Sequence, residues 1–214
     1  MTSVHIDTAR ARRGGQNHVL QLVTGLAERG DTAVLVAHED GDLKHRASEG
    51  LRFVGFTPRS DFDVHAAWQL ARVFKAVQPD VVHAHDEMAV AIGAMALKMK
   101  TELARPPLVV AARRRAFHLE RQAFAKWKYG HVNVFIAASA HIAGRLESDG
   151  ISADRIAIVH DGVNTDVIDK IARVDARNGW IGFPYPKLMN AIMEVDQGAA
   201  AIVMSESAAD ALGI

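Results

Sequence analysis

From residue 4 to about residue 168, short apolar runs alternate with stretches whose apolar residues recur at helical spacing. This alternation limits the fold more than any other feature of the chain. Residues 33–37 (AVLVA) are continuously apolar, as expected of a strand buried on both faces. Residues 4–7, 51–56, 81–85, 108–112, 132–138 and 154–160 read as further strands. Between them, Val19, Leu20, Leu22, Val23 and Leu26 share a helical face that Gly30 ends. Residues 64–77 predict a second helix, with Ala67, Leu70, Val73, Phe74 and Val77 on one side and Pro79 just beyond. The Ala- and Met-rich residues 87–100 predict a third, and Ser139 caps a fourth that ends near Gly150. Alternating strands and helices predict an α/β fold: a doubly wound, mainly parallel, Rossmann-like sheet with helices on both faces. Ligands of such sheets sit outside the carboxyl ends of the strands, so chemistry is expected in the loops after His5, His85, Ala112, Ala138 and His160.

Composition removes several function classes. Lys and Arg number 25 against 25 Asp and Glu, so no overall charge draws the chain to a polyanion, and no nucleic-acid partner is expected. There is no cysteine, which excludes disulfides, thiolate zinc sites and cysteine nucleophiles together. No stretch approaches the roughly 20 apolar residues of a membrane span. Residues 1–7 run at once into Arg10, Arg12 and Arg13, unlike a signal peptide. A soluble, cytoplasmic chain is therefore expected.

Four places carry candidate functional residues. Gly14 and Gly15 open the first helix, where backbone N–H groups and the helix terminus favour an anion; a tight turn with no ligand is the plainer reading. His85 and Asp86 close a strand and suit binding of substrate hydroxyls or positioning of a base; a structural or merely polar strand end is the main competing reading. His83 and His85 alternate along that strand and are read as facing opposite sides, so no metal site is expected. Arg113, Arg114 and Arg115 follow another strand and suit phosphate or carboxylate recognition, or a solvated basic surface. Residues 113–128 interleave these charges with Phe117, Phe124 and Trp127; core packing is favoured, with anionic lipid or single-stranded nucleic acid as minor readings.

Taken in order, several segments resemble the N-terminal, acceptor-side domain of family-four retaining glycosyltransferases of the GT-B type. They are His5-Ile6-Asp7-Thr8-Ala9-Arg10, Arg13-Gly14-Gly15-Gln16-Asn17-His18-Val19 and Leu26-Ala27-Glu28-Arg29-Gly30. Further on come Pro79-Asp80-Val81-Val82-His83-Ala84-His85, the Arg113-Arg114 pair, Phe135-Ile136-Ala137-Ala138-Ser139 and residues 154–164 ending in Gly162-Val163-Asn164. The resemblance implies transfer of a sugar from a nucleotide sugar to a glycan or lipid acceptor, with retention at the anomeric carbon and without an obligatory metal or other cofactor. It implies ligand-binding roles for Gly14, Gly15, Gln16, Arg113, Arg114, Ser139 and Asn164, and catalytic roles for His85 and Asp86. Many relatives carry a histidine at the end of the strand before Arg113; His118 is the candidate to replace it.

The nucleotide-binding second domain of that family is not recognisable in residues 169–214, so an incomplete site is expected, inactive alone unless a partner completes it. Residues 180–214 resemble instead an interior stretch of thiolase-like acetyl-CoA acetyltransferases, through Phe183-Pro184-Tyr185, Lys187, Met189-Asn190 and residues 195–200. The expected organisation is a glycosyltransferase domain over 1–168 and an appendage over 169–214. A non-catalytic binding module and an acyltransferase-related fragment are the alternatives. Peripheral membrane contact and self-association are both open to a domain that normally faces a partner.

Overall fold

The computed structural model describes residues 1–10, 14–47, 50–99, 102–119 and 122–162, together with 173, 175, 180–182 and 185–186. Residues 1–162 form one compact unit, and residues 163–214 fall in a second.

The first unit is a parallel sheet of seven strands. They are β1 (Thr2–Asp7), β2 (Thr32–His38), β3 (Arg52–Phe56), β4 (Val81–Ala84), β5 (Leu108–Arg113), β6 (Val134–Ala137) and β7 (Ile156–Ile158). The spatial order is β3-β2-β1-β4-β5-β6-β7. Six helices connect them: α1 (Gly14–Glu28), α2 (Asp42–Arg46), α3 (Val64–Val77), α4 (Glu87–Lys98), α5 (Ala123–Gly130) and α6 (Ala140–Ser148). The doubly wound expectation therefore holds. The order reverses between β1 and β4, which opens a crevice at their carboxyl ends.

The strands form because their side chains meet an apolar layer on each face. Val4 and Ile6 of β1, Val34 and Val36 of β2 and Val82 of β4 point to one side, where Leu70 and Phe74 of α3 are fully buried against them. Ala33, Leu35 and Ala37 point to the other side and meet Val19 and Val23 of α1. Local signals set the helix limits. Asp63 caps α3 by accepting from the Ala66 N–H, and α3 stops where Gln78 turns left-handed at φ 50° ahead of Pro79. Ser139 caps α6 by accepting from the Ile142 N–H.

Two expectations need correcting. The strand read over residues 154–160 is only Ile156–Ile158, because residues 153–155 close a 3-10 turn first. The aromatics of the basic stretch 113–128 do not join the core: Phe117 is 67 % and Trp127 37 % exposed, and Phe124 is half-buried, because α5 turns this side outward. In the second unit the described residues form a short antiparallel pair, β8 (Trp180–Gly182) and β9 (Tyr185–Pro186). The apolar run 198–204 and the helix expected over 206–212 lie outside the described residues. Among the described residues no helix is long and apolar enough to cross a membrane.

Candidate active site

The crevice at the reversal point is a cleft of about 870 Å³. Its walls come from the carboxyl ends of β1, β4 and β5 and the first turn of α1. Asp7, Gly15, His85, Asp86, Arg113 and Arg114 are among its lining residues.

The floor is built by mutual bracing of the loops after β1 and β4. Asp86 caps α4 through the Ala89 N–H, and its two oxygens also accept from the Thr8 N–H at 2.6 Å and the Thr8 hydroxyl at 2.7 Å. Burial raises its pKa despite these hydrogen bonds. Gln16, 1 % exposed, donates its side-chain N–H to the Ala9 carbonyl and also bonds the Asp7 carboxylate. Asp7 is 5 % exposed. Its pKa is raised to about 6, first by burial and then by the nearby Asp86; the Ala9 N–H and Gln16 oppose the shift.

The arginines divide the labour. Arg113 turns inward: it donates to Glu87 and to the Phe117 carbonyl, and its Nε has no partner among the described residues. Arg114 reaches across the first turn of α1 and donates from Nε to Asp161 at 3.2 Å. Its Cδ lies 3.7 Å and its Nη1 3.9 Å from where a Cβ on Gly15 would stand. A guanidinium thus overlies Gly15 in the first turn of a helix, a combination suited to a phosphate. His18, one turn along α1, also meets Asp161, at 3.3 Å. Burial and Arg114 lower its pKa, and Asp161 opposes them.

Other sequence candidates fall elsewhere. His118 is exposed and bonds Asp149 at 2.7 Å, so it does not stand in for a strand-end histidine at the cleft. Ser139 serves as the cap of α6 and is not a lining residue. Asn164 lies outside the described residues. The reading of His83 and His85 on opposite faces is wrong: side chains alternate along a strand, so residues two apart share a face. Their rings are 4.1 Å apart, and His5 of β1, paired in register with His83, joins them on the α1 side.

Several residues here went unread in the sequence. Asp7 and Thr8 sit where a buried strand ends, and that position was a usable signal. Lys128 of α5 gave none: it is 1 % exposed and donates to Asp61, a cleft residue, at 2.8 Å.

Residues 12–167 match the sequence profile of Glycosyltransferase Family 4, and the chain belongs to that family. No curated protein matches it significantly. Among solved structures it is similar to a glycosyltransferase from Rickettsia africae, at 17% identity and TM-score 0.65, over 82% of this chain and 46% of that one. It is also similar to Anabaena Alr3699/HepE in complex with UDP-glucose, at 13% identity and TM-score 0.63, over 83% and 47%. A third similar structure is the apo lipopolysaccharide outer core galactosyltransferase WaaB, at 14% identity and TM-score 0.59, over 76% and 46%. These identities speak to the fold. The chain spans about half the length of the structures it matches.

Proposed function

We propose that this cleft is one wall of a retaining sugar-transfer site, taking the diphosphate of a nucleotide sugar near α1 and the hydroxyls of a glycan or lipid acceptor near β1 and β4. The observation that carries the reading is Arg114 laid over Gly15 in the first turn of α1, within a Family 4 domain. One structure of similar fold has UDP-glucose bound.

In this reading the residues take distinct tasks. The first-turn N–H groups of α1 and the Arg114 guanidinium face developing negative charge on a leaving diphosphate, which they stabilise without reorganising. Asp7 offers a carboxylate to acceptor hydroxyls. Asp86 is a positioning residue, since both of its oxygens hold Thr8 and the start of α4. Arg113 holds the β5 end in place through Glu87. The other half of such a site comes from a second domain or chain, and losing it removes rate rather than only affinity. Residues 169–214 stay an appendage in this reading. With no cysteine in the chain, the thiolase-like sequence of 180–214 carries no thiolase nucleophile.

Calorimetric titration of the chain with UDP and UDP-glucose tests this. Binding of both is expected, falling roughly tenfold or more in Arg114→Ala through loss of a charge-assisted contact. If neither ligand binds, or the variant binds as well as the parent, the diphosphate assignment fails.

A further inference from the structure

The sheet face under α1 is not apolar along its centre. Ser3, His5 and Asp7 of β1 and His83 and His85 at β4 all point there, and all are buried. The seam runs from the cleft, which Asp7 and His85 line, into the interior. Inside it, the His5 Nδ1 lies 3.2 Å from the His85 Nε2. One ring nitrogen from each of His5, His83 and His85 lies within 4.8 Å of the other two.

We propose that these three histidines form a binding site for one divalent transition-metal cation of the zinc class. The inference rests on the fold alone and not on sugar transfer.

Three features support it. First, the spacing is close: tetrahedral zinc with nitrogen at about 2.0–2.1 Å sets ligand nitrogens about 3.3 Å apart. The His5–His85 pair is at that separation, and His83 brings a ring nitrogen within 4.8 Å of both. Second, the cluster is short of partners. Among the described residues the buried His83 Nε2 and His85 Nδ1 have none, a costly condition for a polar atom in a folded interior. A cation supplies the missing partner for His83. Third, His5 has an outer support. Its Nε2 is 3.0 Å from the Ser3 hydroxyl; an Nε2–H donating there leaves the Nδ1 lone pair aimed at His85. Metal-bound histidines are commonly fixed in this way.

The electrostatics permit a cation. His5, His83 and His85 are 2 %, 6 % and 8 % exposed, so bulk solvent does not compete for their ring nitrogens. Among the described residues, the Arg114 guanidinium and the His18 ring face them, and both are paired with Asp161. Asp7 and Asp86 lie on the cleft side. Three histidines leave a fourth coordination position for solvent, and the cleft beside His85 gives an entry path.

The test uses the full chain without a polyhistidine tag. Elemental analysis after dialysis against Zn2+ is expected to find about one equivalent per chain. Co2+ is expected to give the visible absorption of a four-coordinate site, bleached by Zn2+. At a hundredfold excess over the dissociation constant, the melting temperature is expected to rise by about 5–10 °C. The His5→Gln/His83→Gln variant is expected to lose the cobalt spectrum while keeping its far-ultraviolet circular dichroism. If the parent chain takes up no stoichiometric metal, the site does not exist. Equal uptake by the folded variant would place the metal at other histidines and equally overturn the proposal. If the variant does not fold, the cobalt titration of the parent decides the question by itself.

Discussion

Replacing Gly15 by alanine separates a glycine kept for the fold from one kept for a ligand. Gly15 lies in the first turn of α1 and does not have the positive φ that would demand glycine. Among the described residues an added Cβ meets nothing nearer than the Arg114 Cδ at 3.7 Å, an ordinary contact. The fold therefore tolerates the methyl group. Helix propensity favours alanine over glycine by up to about 1 kcal/mol, and the unfolded chain loses freedom as well. For a domain of this size that corresponds to a rise in melting temperature of about 2–4 °C at most. A diphosphate drawn onto the α1 backbone meets the same methyl group as an obstacle. Losing one charge-assisted N–H contact costs about 1.5–3 kcal/mol, or roughly a ten- to hundredfold weaker affinity. Thermal melts and UDP titration of Gly15→Ala read both quantities. Higher stability with weaker binding is expected. A variant that melts below the parent makes the glycine structural, and one that binds UDP unchanged removes the backbone from the ligand site.

Two further outcomes follow from polar groups outside the cleft centre. Asp61→Ala strands the buried Lys128 ammonium and is expected to cost about 3–5 kcal/mol by urea denaturation. Lys128→Met keeps the packing on Phe124 and Tyr129 and leaves only the part-exposed Asp61, so it costs much less; equal losses would show that packing, not charge, governs the pair. Asp63→Ala removes the α3 cap and is expected to cost about 1 kcal/mol at neutral pH. The Ala66 N–H holds the Asp63 pKa below its usual value, so the cap's contribution is present above the unfolded pKa and fades as pH falls through the folded one. Denaturation midpoints of parent and variant should converge in acid, and a constant gap would place the cap energy in the neutral group.

The legible parts of the fold were those whose causes are local. The limits of α3 coincide with the residues read from sequence, 64–77, because a capping aspartate and a following proline bracket a clear apolar face. Helix α2 was missed: in five residues only Leu43 is buried, so no period can show. The site was half legible. Strand-end residues such as His85, Asp86 and Arg114 follow from the architecture. Their tasks do not, since Asp86 is claimed by Thr8, 78 positions away, and Lys128 by Asp61, 67 positions away. The histidine cluster was open to a correct application of the two-residue strand period. Its third member needed the β1–β4 register, which only the folded chain displays.

The placing of β1 at the reversal point has a consequence for motion. β1 is hydrogen-bonded on both edges, to β2 and to β4, and the His85 N–H donates to the Ile6 carbonyl just beneath the cleft. The cleft floor is thus not a loop hung on the domain but its innermost seam. It cannot open locally, because parting β1 from β4 parts the whole sheet into halves. Amides there are tied to the global unfolding equilibrium, not to the fraying that loosens edges and termini. Any closing motion that accompanies ligand binding therefore belongs to what covers the cleft, while the floor stays fixed.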